Sequence, residues 1–406
     1  MYAAGMGQEE SVIALLEAGA DPYARDDRFG RTLLDYAATR GHWGLIIRIL
    51  CYFEGIDKQA AAFWAKVATC LYYVAYPEGL NERRVSFRQL LAKCGDVNFT
   101  CADENMQEDT LLHRVRTVSD AEALLENQFR LINHRNSAGQ SALMTLSVGS
   151  QRTGITRKLL EEGADLNLRD SQGRQPIHYV LSELGDGRRA YRLKETLHLL
   201  NIYLAHGADV LAGDGCRCLC SPNGGCYPTA PLGRVGSSTF TGFHLPIWSF
   251  EWLSMLLEHR GEIEAKPVLL SFNRRAKYDQ LGMAHVCCQR EPTIWGKPSF
   301  LFKKEKLSSE EIKNILEQEL GSCQTLEREM AQITDRDYEF LLDYWISQIN
   351  DILERAREES IQDENGRPKY SKNVADKAPM VSNNPYLIVS VATATKSIEY
   401  ECIQIM

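Results

Sequence analysis

Asn136-Ser137-Ala138-Gly139-Gln140-Ser141-Ala142-Leu143 opens a helical run that ends at Leu159-Leu160-Glu161-Glu162-Gly163-Ala164-Asp165-Leu166-Asn167. The pattern starts again at Asp170-Ser171-Gln172-Gly173-Arg174-Gln175-Pro176-Ile177-His178 and closes at Gly207-Ala208-Asp209. Gly139 and Gly173 are 34 residues apart. A fixed period of this size is the signature of stacked helix-pair repeats.

Each residue type has a physical task in such a unit. A Gly or Asp turn opens it, and Pro is tolerated in the first helical turn because its missing N–H would be unpaired there anyway. Two short antiparallel helices follow, the second ending at a Gly that can take the left-handed conformation. Asp or Asn then turns the chain toward the next copy. One unit cannot bury its apolar face alone, so several must stack. The pattern resembles the ankyrin repeat, which implies an all-α solenoid.

Working outward, Ala3-Ala4 to Gly19-Ala20-Asp21 has the form of the back half of a repeat, and Gly30-Arg31-Thr32-Leu33-Leu34-Asp35-Tyr36-Ala37-Ala38 begins the next. Leu33 stands where the family has Pro, and Asp35 where it has His. Register is then lost, so 51–86 is expected to be an insertion or a degraded repeat. It returns at Phe87 to Asn98, and Asp109-Thr110-Leu111-Leu112-His113 opens another unit. The expectation is about six repeats or part-repeats over 1–212. Beyond them lie a Cys-rich segment with helices (213–305), C-terminal helices (306–360) and a polar linker and tail (361–406). Helices are expected over Leu245–His259, over Lys266–Asp279, and from a Ser308/Glu311 capping box to Leu320 before Gly321. A longer one is expected from about Asp335 to Glu359, with an apolar stripe including Tyr338, Leu341, Trp345 and Ile349.

The chain has 406 residues and a formal net charge of -8. That balance argues against broad electrostatic binding to nucleic acid, which needs basic surface. No apolar run is long enough to span a membrane. The nearest, 60–76, carries Lys66 and is expected to be a buried helix. The N-terminus lacks a basic start and a long apolar run, and it reads as mid-repeat sequence, so an upstream part is expected. Cytoplasm or nucleus is the expected location, and the twelve cysteines are expected to be reduced thiols or metal ligands rather than a disulfide frame.

In a stack of this type the hairpin tips and first helices form a concave face, and the resemblance implies that this face binds a protein partner. The tip candidates are Arg25, Asp26, Asp27, Arg28 and Phe29, then Arg135 and Asn136, then Arg169, Asp170 and Gln172. Tyr36, Arg40, Arg114 and Tyr179 fall at first-helix positions that vary in the family. Arg and Tyr suit contacts because they offer large, rigid or bidentate groups. The partner-binding set is therefore Arg28, Phe29, Tyr36, Arg40, Arg114, Arg135, Arg169 and Tyr179. His113 and His178 stand where the family uses His to hydrogen-bond between repeats, and are expected to be structural.

Cys216, Cys218 and Cys220 alternate, so in an extended segment all three would face one side. Cys226 follows across a turn-forming stretch, and His285, Cys287 and Cys288 come downstream. Structural zinc takes four Cys or His ligands, and these seven are its candidates, although their spacing is not the usual paired C-x-x-C. The two segments resemble the Cys-rich "DGCxCxCSPxGC" and "LGMxHxCC" stretches of filamentous-fungal ankyrin proteins, with one extra Gly before Cys226. That resemblance carries no chemistry with it.

There is no P-loop, G-x-S-x-G elbow, H-E-x-x-H motif, kinase signature or dinucleotide fingerprint. A dyad of Cys287 or Cys288 with His285 is disfavoured because residues so close in sequence rarely orient for nucleophilic attack. The sequence thus points to a non-enzymatic protein-binding module, an adaptor or recognition arm, with no small-molecule substrate and no membrane. The alternative is a zinc-dependent regulatory or nucleic-acid-associated module centred on the cysteines, with Arg274, Arg275 and Lys277 as its basic cluster.

Overall fold

The structure is a computed structural model that describes residues 1–72, 80–101, 108–146, 152–184, 193–215, 220–221, 225–229, 245–283 and 309–360. It divides into two compact units, Met1–Asp165 and Leu166–Met406. Among the described residues the secondary structure is helical, with one isolated bridge between Thr100 and Thr110.

The first unit is an ankyrin-type stack of five helix pairs. They are α1 (Tyr2–Gly5) with α2 (Glu9–Glu17), α3 (Leu33–Thr39) with α4 (Trp43–Ile56), and α5 (Lys58–Tyr72) with α6 (Leu80–Cys94). Then come α7 (Leu111–Arg114) with α8 (Val118–Glu126), and α9 (Ala142–Thr145) with α10 (Arg152–Glu161). First helices pack on first helices, α1 on α3, α3 on α5, and α7 on α9. Second helices do the same, α2 on α4, α4 on α6, α6 on α8, and α8 on α10. Leu34, Ile46, Ile49, Leu50, Phe87, Leu112 and Leu124 lie buried between the layers, the burial that one pair alone could not achieve.

The stretch expected to be an insertion or a degraded repeat, 51–86, is occupied by the end of α4, the whole of α5 and the start of α6, which agrees with the second alternative. A full helix pair therefore sits there. Register was lost in the sequence because no Gly-containing tip separates the second pair from the third. A single residue, Asp57, joins α4 to α5, and its Oδ1 accepts the N–H groups of Gln59 (2.8 Å) and Ala60 (3.3 Å). That is an N-cap in place of a hairpin. The cysteine expectation also needs correction: Cys70 of α5 and Cys101 form a disulfide, with Cα atoms 6.0 Å apart.

The other tips share one construction. Asp26 N donates to Arg31 O and receives Arg31 N on its carboxylate, both at 2.9 Å. Asn136 with Gln140 repeats this at 2.9 and 2.9 Å, and Asp170 with Arg174 at 2.9 and 2.9 Å. Each tip turns through a Gly at positive φ, Gly30, Gly139 or Gly173, a conformation that costs Gly nothing sterically. A further tip begins at Asp214. Its N–H donates to Cys226 O (3.0 Å) and its carboxylate accepts Cys226 N (2.9 Å). Asp214 and Cys226, at the two ends of the first cysteine stretch, are thus paired as the ends of the other tips are.

Asn side chains tie successive loops together. Asn98 Oδ1 accepts Arg130 N (2.6 Å), Asn133 Oδ1 accepts Asp165 N (2.8 Å), and Asn167 Oδ1 accepts Asp209 N (3.1 Å). At the first helices, Thr32 and Asp35 form a reciprocal capping box, so Asp does the work of the absent His. His113 accepts Thr110 N at Nδ1 (3.2 Å), and its Nε2 lies 2.9 Å from Gln140 O of the next tip. Its structural role is as expected. His178 holds the same place, with Nδ1 accepting Gln175 N at 3.0 Å.

In the second unit, α11 (Pro176–Leu184) pairs with α12 (Leu193–Ala205), and α12 packs on α13 (Leu245–Arg260). The chain continues through α14 (Glu262–Gln280), α15 (Ser309–Gln318), α16 (Leu320–Ile333) and α17 (Tyr338–Ser360). Helix α14 is the centre, packing on α13, α16 and α17. Tyr338, Leu341, Trp345 and Ile349 of α17 are buried as the stripe predicts. Gly321, expected to follow a helix end, lies inside α16. Helix α15 does end just before it, at Gln318 where Leu320 was expected, and Gly321 then falls in the first turn of α16. The capping residue Ser308 and the tail from 361 lie outside the described residues.

Candidate functional site

The second tip is built around Asp26. Its carboxylate accepts the N–H groups of Arg28 (2.9 Å), Phe29 (2.6 Å) and Arg31 (2.9 Å), and the Tyr36 hydroxyl at 3.3 Å. Partial burial raises the Asp26 carboxyl pKa, but the N–H groups of Phe29, Arg31 and Arg28 outweigh it and hold the group below its ordinary value. Arg25 closes the turn by donating to Gly30 O at 2.8 Å. On this frame the Phe29 ring is 59% exposed. The Arg28 and Arg31 guanidinium groups lie 4.9 and 5.1 Å from its centroid, within cation–π range. Arg40, at the C-cap of α3, is exposed as well.

The remaining expected contact residues also make contacts within the chain. Tyr36 reaches Asp26, and Tyr179 donates to Asp170 Oδ2 at 2.5 Å, the same bond in another repeat. Arg174 completes that second cluster, with its guanidinium 4.7 Å from the Tyr179 ring centroid and 2.9 Å from the buried Asp170 carboxylate. Arg114 is bound to Asp109 at 2.6 Å, and Asp109 also accepts Asn136 Nδ2 at 2.8 Å. Arg135 and Arg169 donate to Gly139 O (3.1 Å) and Gly173 O (3.0 Å), as Arg25 does to Gly30 O. Arg169 also reaches Gly213 O at 2.6 Å. Recurrence of Arg immediately before the Asx residue was the readable signal that these side chains clamp their own tips.

Exposed aromatic residues that the sequence did not single out lie elsewhere in this unit. Tyr2 on α1 is 81% exposed. Helix α1 packs on α3, where a side chain at Gly5 would meet Tyr36. Separately, Tyr23 stacks on Trp64 (5.4 Å between centroids), and exposed Phe63 meets the same indole edge-on.

Of the zinc candidates, Cys220 and Cys226 are described, and both are buried. The Cys220 Sγ accepts from Arg275 at 3.4 Å. Cys216, Cys218, His285, Cys287 and Cys288 lie outside the described residues. Among the described residues no group of three or more His, Cys, Asp or Glu is arranged to hold a metal. The basic cluster is occupied: Arg274 pairs with Glu327, Arg275 is buried against Cys220, and Lys277 lies 2.6 Å from Glu329. These three therefore present no free cationic stripe. Among the described residues no helix is long and apolar enough to cross a membrane.

Residues 1–54 match the family model described as Ankyrin repeats (many copies). A relative, NF-kappa-B inhibitor delta of Mus musculus, is 28% identical over 202 residues, which cover 44% of this chain and 61% of the relative. The chain thus spans about three-fifths of that protein's length. A solved structure of the Bd0816 predatory endopeptidase from Bdellovibrio bacteriovorus in complex with immunity protein Bd3460 matches at 21% identity. That match covers 49% of this chain and 95% of the other, with a TM-score of 0.34, too low to carry a comparison of folds.

Proposed function

We propose that this protein is a non-enzymatic adaptor or recognition arm that binds a protein partner on the first-helix and tip face of its N-terminal repeats. The observation that carries this is the Phe29 tip. A large apolar ring is held out in solvent on a turn fixed by four hydrogen bonds to Asp26. Pre-organised aromatic and Arg side chains are what interface hot spots use, because little entropy is lost when they bind. The relative named an inhibitor of another protein supports the same class of function. The test is affinity purification from native cell extract with the wild-type chain and a triple Arg28→Ala, Phe29→Ala, Arg40→Ala variant. A partner captured by the wild type should be lost from the variant at an unchanged melting temperature. An identical set of captured proteins would overturn the assignment to this face.

A zinc staple in the second unit is a second reading, supported by the burial of Cys220 and Cys226 of the first cysteine stretch. Zinc would contribute folding energy there and no chemistry. Elemental analysis of the purified protein beside a Cys220→Ser, Cys226→Ser variant decides it: stoichiometric zinc lost in the variant supports the staple, and metal-free wild-type protein overturns it.

A further inference from the structure

One tip breaks the common construction, and it is the tip that carries the disulfide. The N–H of Cys101 donates to Asp109 O at 2.8 Å, just as Asp26, Asn136, Asp170 and Asp214 donate to their partners. Thr110, next in sequence, holds the N-cap position of α7 as Thr32 holds that of α3. Cys101 therefore stands in the Asx position. The other four side chains at that position close the tip by accepting the partner residue's backbone N–H. A cysteine sulfur is a weak acceptor and cannot do this well. Here the sulfur is bonded instead to Cys70 on α5, the first helix of the preceding pair.

We propose that the Cys70–Cys101 disulfide is a redox-controlled substitute for the missing Asx lock, so that the order of the paired ends of this tip, 99–101 and 108–110, depends on the thiol–disulfide balance around the protein. Oxidation by a low-molecular-weight disulfide such as oxidised glutathione takes two electrons and two protons from the two thiols and releases two molecules of the reduced thiol. Reduction reverses it by thiolate attack. Cys70 is the half-buried member and Cys101 the buried one, so attack falls on the Cys70 sulfur and Cys101 leaves as thiolate. When the bond opens, the pairing of Cys101 with Asp109 keeps its backbone bond and the Thr100–Thr110 bridge but no side-chain lock. The consequence passes beyond one turn, because the Asp109 carboxylate also holds Arg114 and Asn136 of the following tip.

The experiment uses the full chain, equilibrated with oxidised glutathione or with dithiothreitol. Alkylation and digestion should yield a linked Cys70/Cys101 peptide in the oxidised sample alone. Hydrogen exchange at residues 99–101 and 108–110 should be about tenfold or more faster in the reduced sample. A double variant, Cys70→Ala with Cys101→Asp, restores the Asx side chain. It should exchange slowly in both buffers. Cys94→Ser should leave the linked peptide intact. Absence of that peptide after oxidation would overturn the proposal. So would a linked peptide whose formation leaves exchange at these amides unchanged within about twofold. Both readouts come from wild-type protein, so they decide the matter even if the double variant fails to fold.

Discussion

The most direct test of the stack is acid sensitivity at His178. Burial is the main cause that pushes this imidazole from 6.5 down to about 4, since a charged ring would lose its hydration. The neighbouring Arg174 guanidinium adds to the effect, and the Cys226 backbone and the Asp170 carboxylate oppose it only in part. The ring is neutral in the folded state because Nδ1 must accept Gln175 N. A group whose folded pKa is depressed in this sense contributes fully above the unfolded value and loses its contribution as pH falls. With 6.5 unfolded and about 4 folded, the loss begins below pH 6.5 and reaches about 3 kcal/mol at pH 4. His178→Asn removes the titration while keeping an acceptor, as Asp35 does for Thr32 N at 2.7 Å. Hydrogen exchange in α11 and α12, compared between wild type and variant at each pH, cancels the intrinsic rates. Between pH 7.5 and pH 4 the wild type should lose about two orders of magnitude more protection than the variant. Parallel profiles would refute the assignment of a buried neutral imidazole to this position.

Other substitutions separate the contributions to the tips. Asp170→Ala leaves the Arg174 guanidinium, the Tyr179 hydroxyl and two backbone N–H groups without their acceptor, so a loss of about 3–5 kcal/mol is expected in urea unfolding. Asn133→Ala removes the bonds to Asp165 N and Gly163 O on an exposed loop. It should cost about 1 kcal/mol, read as a lower melting temperature. Gly173→Ala forces a side chain onto φ +77 and within 3.0 Å of Gly215 N. A loss of about 1–3 kcal/mol is expected, and calorimetry with no shift would contradict the close approach of the two tips.

What was legible in the sequence was what Gly and Asx residues punctuate. Repeats beginning at Gly139 and Gly173 could be read because a left-handed Gly and a carboxyl or amide lock are needed at fixed places. Helix α5 could be read as a buried helix over 60–76 but not as part of a repeat, because α4 runs into it through Asp57 alone, leaving no punctuation to mark the unit. The tip at Asp214 escaped because its partner Cys226 lies twelve residues on, where Asn136 and Gln140 are four apart. Helix α16 escaped because the Gly that marks the end of α15 does not also read as the first turn of another helix, although an exposed helical Gly costs only about 1 kcal/mol. The disulfide joins residues 31 apart whose proximity depends on the helix pair that the sequence hid.

The same comparison tells stacking residues from binding residues. A side chain that recurs at the repeat period has the same neighbours in every copy, so its partners lie within the stack. Arg25, Arg135 and Arg169 each clamp the carbonyl of their own tip glycine, and Tyr36 and Tyr179 each hold their own tip carboxylate. Arg and Tyr at a tip therefore do not by themselves mark an interface, and five of the eight expected contact residues also make contacts within the chain. Phe29 has no such counterpart: Gly139 and Gly173 are preceded by Ala138 and Gln172, which carry no ring. Beyond its cation–π contacts with Arg28 and Arg31 on the same tip, a solvated aromatic at that place buries nothing in the stack, and its face is open to contact with another molecule. Phe29→Ala should for that reason leave the melting temperature within about 0.5 kcal/mol of wild type in equivalent stability while abolishing partner capture. A variant that lost stability instead would place the Phe29 ring among the groups that hold the array together.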